Sequence, residues 1–235
     1  MSPLRVRVSQ LVASLCLALA VAVPASGQEA AEPKKLAPSD EAAGDGSWVS
    51  FRRRLLTALT QHDRQFLLSV LDRNIRNPLD APRGIAAFRK QWDFEADDSP
   101  LWRELPAALF LGSAWLKPEK GPRQLCAPYV AVKWPEDIDP FDYGAITSRE
   151  ALVKAAPSSD SATLATLAYD IVPVSDWEIA DQAPDVKQKW VKIRLKGADA
   201  YVPEEQIRSP VEHRACFVKT ENGWRMIAFV VGLEK

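Results

Sequence analysis

From residue 191 onward the chain alternates as only a half-buried strand does. Val191, Ile193 and Leu195 fall on one side, Lys192, Arg194 and Lys196 on the other. A period of two sends successive side chains to opposite faces, so this stretch predicts a strand with one face in a core and excludes a helix. Lys196-Gly197-Ala198-Asp199 then turns the chain into Tyr201-Val202, and residues 171–174 supply another strand upstream. Residues 144–210 read as a small all-β unit.

The ends of the chain set its destination. Arg5 and Arg7 precede an apolar run over residues 11–22, and Ala25-Ser26-Gly27 offers the small residues a signal peptidase reads. Residues 1–27 are thus predicted to be a cleaved signal peptide, giving a periplasmic or secreted protein. The run is shorter than the roughly 20 residues that span a bilayer, so no stable membrane insertion is expected after cleavage. Cys16 follows Leu15, whereas a lipid-anchor signal needs a small residue there. In residues 28–46 Leu36 is the only large apolar side chain, too little to offset ordering entropy, and a disordered linker is expected. With 30 basic against 31 acidic residues and no basic block, neither nucleic acid nor an anionic membrane surface is an expected partner.

The first half is helical in pattern. Ser47 is placed to cap a helix in which Trp48, Phe51, Leu55 and Leu59 recur at three- and four-residue steps. Arg52, Arg53 and Arg54 fall on its other faces, as an anion site or, by preference, a solvated surface. Asp63 caps a second helix carrying Phe66, Leu67, Val70 and Leu71. Asn77-Pro78 and Asp80-Ala81-Pro82 are turns, Pro82 opens a third helix with Ile85, Phe88 and Trp92, and Ser99-Pro100 a fourth with Leu101, Trp102, Leu105 and Leu109. Pro106 predicts a kink or short break in the fourth. At the other end, Asn222-Gly223 between two β-prone runs is a hairpin signal, with residues 224–231 as the partner strand. Residues 125–134 form a further strand candidate, which Pro128 relegates to an edge or a bulge.

These residues carry two resemblances. Val153 and Pro157 in V-x-x-x-P-S, the strand at 171–174, W-V-K-I from Trp190, Tyr201-Val202, and P-E-E-Q-I-R-S-P as a closing turn and exit strand are similar to a bacterial SH3 (SH3b) domain. The longer stretch 176–189, with no glycine before Trp190, departs from that pattern. F-x-x-x-L-x-x-A-L-x-x-x-D from Phe51 to Asp63, with the hairpin at the far end, resembles an NTF2-like domain. As a whole the chain resembles secreted bacterial SH3-domain-containing proteins of uncharacterised family. The expected fold is α+β: N-terminal helices packed on an antiparallel sheet completed by the C-terminal hairpin, with a small SH3-like β-barrel between. The expected parts are residues 47–143 plus 211–235 as the α+β domain and 144–210 as the inserted module.

Little in the chain reads as catalytic. The two histidines, His62 and His213, are far apart and lack the tandem spacing of a zinc site. Asp63 beside His62 is better read as a cap. His213 beside Glu212 is either a general base or an ordinary junction histidine. The acidic run Glu136, Asp137, Asp139 and Asp142 is interrupted by Pro135 and Pro140, without the loop glycine a calcium site uses. No catalytic residue, metal or cofactor is expected, and the chain is read as a non-enzyme. The SH3 resemblance implies a groove bordered by Tyr169, Trp177, Trp190 and Tyr201 that takes cell-wall or envelope peptides. Barrel core is the alternative for Trp190 and Tyr201, and for Trp190 the two readings stand level. An NTF2-like small-molecule or dimerisation scaffold is the alternative, and a cell-wall hydrolase a weaker one. With Cys16 removed, Cys126 and Cys216 are the remaining cysteines of a chain bound for an oxidising compartment. A disulfide between them is expected, with free thiols or an intermolecular link as the alternative.

Overall fold

The computed structural model describes residues 34–78 and 81–232, so the signal peptide at 1–27 and the start of the linker lie outside the described residues. Helix α1 (Gly46–Thr60) begins two residues earlier than Ser47 suggested, because Asp45 caps it, accepting from the Ser47 and Trp48 amides at 2.8 and 3.3 Å. Its inward stripe of Trp48, Leu55 and Leu59 is buried as the periodicity requires. Asp63 caps α2 (Arg64–Val70) through the Phe66 amide at 2.9 Å. Leu71, placed by its spacing on that helix, instead starts strand β1 (Leu71–Arg76), whose Ile75 is fully buried. Then follow α3 (Ile85–Gln91) and α4 (Leu101–Phe110). Pro106 does not break α4. Burial of Leu101, Leu105, Ala108 and Leu109 along one face offsets a lost helical bond that costs about 3 kcal/mol.

The next segment corrects the sequence reading. Strand β2 (Ala114–Leu116) precedes β3 (Gln124–Ala127), and β3 stops at Pro128, after which residues expected to continue the strand form α5 (Val130–Lys133). Pro128 therefore terminates a strand that is interior to its sheet and is neither an edge nor a bulge within it. Strands β4 (Tyr143–Ile146), β5 (Ala151–Lys154), β6 (Thr163–Leu167), β7 (Ile171–Ala180), β8 (Lys189–Leu195) and β9 (Ala198–Pro203) come next. A 3-10 turn, Glu204–Gln206, and the short edge strand β10 (Ile207–Arg208) follow. The chain ends in the hairpin β11 (Arg214–Thr220) and β12 (Gly223–Val230), with Gly223 at φ 101° where an L side chain would be strained.

The fold class is α+β, with two mostly antiparallel sheets. Strand order in the first is β1-β12-β11-β3-β2, with only β1 and β12 parallel. The second, β10-β4-β7-β8-β9-β5-β6, is drawn wholly from residues 143–208. It is open between β10 and β6, where a closed barrel was expected. Strand β6 has no buried residue and exposes Leu164, so little apolar area drives its free edge onto another strand.

Each sheet has its own core. Helices α1, α2 and α4 close over β1, β12, β11 and β3, and Trp48, Phe88, Phe94, Phe217 and Phe229 fill the space between them. Val153, Val191, Ile193 and Val202 do the same within the second sheet. A third cluster joins Leu36, Ala114, Tyr129, Val130, Ala145 and Ile171 along the seam between the sheets. Cys126 and Cys216, register partners on β3 and β11, are linked, with an S–S distance of 2.06 Å. Such a bridge fits an oxidising compartment. Among the described residues no helix is long and apolar enough to cross a membrane.

Candidate functional site

Leu36 overturns the linker reading for residues 34–46. It is 7% exposed, held in the seam core, and the chain on either side of it is laid along the body. A lone aliphatic residue in a polar segment is weak evidence of order, but here a preformed slot receives it. Main-chain pairing does the rest. The Leu36 amide donates to the Tyr169 carbonyl and the Ile171 amide to the Lys34 carbonyl, both at 2.8 Å, which sets Lys35 opposite Asp170 in an antiparallel bridge at the start of β7.

Side chains read the segment in sequence. Lys35 donates from Nζ to Asp170 Oδ1 at 2.9 Å and to the Ala168 carbonyl at 2.8 Å. The Asp170 carboxylate is 4% exposed and also accepts from the Ala168 amide at 2.7 Å. Burying a carboxylate costs free energy unless it is hydrogen-bonded and paired, and a cation on the docked strand completes the set. The Tyr129 hydroxyl donates to the Leu36 carbonyl at 3.2 Å, and burial first, then the nearby Tyr169, pushes its pKa up to about 12, so it stays a neutral donor. Lys34 pairs with Asp137.

The far end is acidic. Asp40 accepts from Ser113 Oγ at 2.6 Å and from Arg52 at 2.8 Å, while Glu41 accepts from Lys133 at 2.5 Å and from the Trp115 amide at 2.6 Å. The Lys133 bond, then the Trp115 amide, holds the Glu41 carboxyl below its usual range. Gly112 lets the segment pass: a Cβ there would stand 2.4 Å from the Ser39 carbonyl oxygen, and its φ is +74°. Residues 34–41 thus lie in a cradle that meets two cations, an aliphatic anchor and a distal acidic pair, with one antiparallel bridge at Lys35.

The four residues expected to border a groove differ in their surroundings. Strands β8 and β9 pair without a bulge, placing Trp190 and Lys192 with their partners Pro203 and Tyr201 on one face, and Val191, Ile193, Ala200 and Val202 on the core face. Tyr201 is half-exposed there, opposite Lys192 and Lys154. Trp190, on the same face, is 1% exposed, and its indole N–H donates to Asp181 Oδ2 at 2.9 Å. It is a packed residue. Trp177 lies in an irregular stretch of β7 and packs partly against the second sheet's core. Tyr169, at φ 60° before β7, enters the cradle through its carbonyl. Asp170, Tyr129 and the docked segment itself were missed, and Leu36 was the available signal.

The remaining polar candidates have structural partners. Asp63 is a helix cap, and His62 stacks on Trp102 with ring centres 4.6 Å apart. His213 sits against Trp92 and Phe229 with Nδ1 3.5 Å from Glu104 Oε2, and beside it Glu212 pairs with Arg208 at 2.5 Å. Among the described residues no three His, Cys, Asp or Glu side chains converge as a metal site would require.

The His213 contact, opposed by burial and aided by Arg103, holds the Glu104 carboxyl down to about 2. A lowered carboxylate pKa adds stability that is complete above the unfolded value near 4.5 and is lost as pH falls toward 2. Burial pushes Glu212 the other way, so its effect on stability has the opposite sign. Glu104→Gln is expected to lower the urea midpoint at neutral pH, with the gap to the parent closing as pH drops from 4.5 toward 2. A gap independent of pH would show that the Glu104 charge contributes nothing.

The chain matches no protein-family model, no curated protein and no solved structure.

Proposed function

We propose that this is a non-catalytic periplasmic or secreted protein whose SH3-like part binds extended peptides of the cell envelope. The observation that carries the reading is the antiparallel capture of residues 34–36 against Tyr169–Ile171, with Lys35 on the buried carboxylate of Asp170 and Leu36 in the seam core. Strand addition draws affinity from main-chain bonds and specificity from side-chain contacts, and the two main-chain bonds, the Lys35–Asp170 pair and buried Leu36 support that mode. The chain's own segment occupies the cradle as a tethered ligand, and an envelope peptide with a cation before an aliphatic residue competes for the same edge.

Two variants of the intact protein separate this from a purely structural strap. Leu36→Ser removes the apolar anchor, and Asp170→Ala removes the acceptor. In fluorescence anisotropy with a labelled Lys-Leu-containing peptide, Leu36→Ser is expected to tighten binding about tenfold, the effect of removing roughly 1.4 kcal/mol of internal competition. Asp170→Ala is expected to weaken it. Equal affinity in all three proteins, or no binding to any, refutes the reading.

A further inference from the structure

Arg54 and Phe66 both line two neighbouring clefts. The larger, about 500 Å³, lies between α1, α2 and the tip of the β11–β12 hairpin, and the smaller, about 290 Å³, follows α1 toward Asp63. We propose that the larger cleft binds a small organic oxyanion, a carboxylate or phosphate joined to a flat apolar body. This site is separate from the peptide cradle and does not depend on it.

Charge is the first support. Three cations line this cleft: Arg54, Lys219 and Arg225. Lys219 is matched by Asp45 at 2.9 Å, and Arg225 is oriented by donating to the Ser69 carbonyl. The Arg54 guanidinium lies 5.1 Å from the centre of the Phe66 ring and has no carboxylate partner among the described residues. In a chain of formal net charge −1 this is a local positive excess. It differs from the neighbouring Arg52, which is neutralised by Asp40 at 2.8 Å.

Order and shape are the second. The Arg54 guanidinium lies within cation–π range of the Phe66 ring, and its fork of N–H groups matches an oxyanion that accepts two parallel bonds. Phe51 and Phe66 are half-buried and form apolar walls beside it, with the Ser50 hydroxyl exposed at the rim. Cation, aromatic wall and hydroxyl together fit a head group and a body. The cleft volume falls within the range of roughly 300 to 1,000 Å³ typical of small-molecule sites.

Nitrogen-15 NMR of the intact protein tests this with four probes: benzoate, phenyl phosphate, inorganic phosphate and benzyl alcohol. Saturable shifts at Phe51, Arg54, Phe66 and Arg225 are expected with benzoate or phenyl phosphate, and the tighter of the two identifies the head group. Phosphate and benzyl alcohol, each lacking one half of the chemistry, should bind about tenfold more weakly, as should either anion to Arg54→Ala, which loses a charge-assisted pair. Arg54 is exposed, so this variant keeps the fold, checked by its melting curve, and the exposed Lys187→Ala is the control. Benzyl alcohol binding as tightly as benzoate, Arg54→Ala binding as tightly as the parent, or no saturation up to the solubility of the probes overturns the proposal.

Discussion

Replacing Cys126 and Cys216 together with alanine is expected to destabilise the protein by about 4 to 5 kcal/mol on the chain-entropy model. The bridge closes a loop with a sequence separation of 90, and that loop contains all seven strands of the second sheet. Without the bridge, the unfolded chain regains the freedom to separate β3 from β11. The folded state still holds the two together through three register pairs and the surrounding core, so the variant should fold at low temperature and melt early. Since small proteins keep only about 5 to 15 kcal/mol in total, this one change removes a large share. Urea denaturation of the oxidised parent, the reduced parent and the double variant checks it. A loss below about 1 kcal/mol would mean that the bridge adds nothing to the sheet's closure.

Trp190→Ala is expected to cost about 3 to 5 kcal/mol, the range for deleting a large buried aromatic side chain. Trp190→Phe should be milder, about 1 to 3 kcal/mol, because it fills most of the volume but leaves Asp181, itself 9% exposed, without its indole donor. A residue lining an open groove behaves differently: its substitution changes stability by about 0.5 kcal/mol or less. Thermal melts of the two variants therefore decide between plug and groove wall. Near-parental melting of Trp190→Ala would contradict the packed position.

What the sequence disclosed follows from the range of the interactions involved. Helix α1 was legible from Trp48, Leu55 and Leu59, because a helical stripe repeats every three or four residues, and its cap was misplaced by only two positions. The hairpin was legible from Asn222-Gly223, and the disulfide from the scarcity of cysteines. Strands β1 and β2 were not. They are short, and β1 pairs in parallel with β12, some 150 residues away, so nothing local records the partner. Pro128 was read as a flaw within a strand when it ends one, since composition does not show where a chain turns from sheet to helix. The cradle was hidden for a related reason. Residues 34–41 are too polar to order themselves and become ordered only against Asp170, Ser113, Lys133 and a glycine that leaves room for them, all distant in sequence. Trp190 carries no local mark of burial, because the Asp181 segment covers it from outside the strand.

Under the proposed function, the edge at residues 168–171 captures extended peptides, and the chain's own segment occupies that edge in the absence of one. Amide NMR of the intact labelled protein, titrated with soluble cell-wall peptide fragments, tests it most directly. Saturable shifts are expected at Ala168, Tyr169, Asp170 and Ile171, with residues 34–41 moving in the same titration toward the narrow, solvent-exposed signals of a released segment. Saturable shifts confined to other surfaces, with residues 34–41 unmoved, would contradict it.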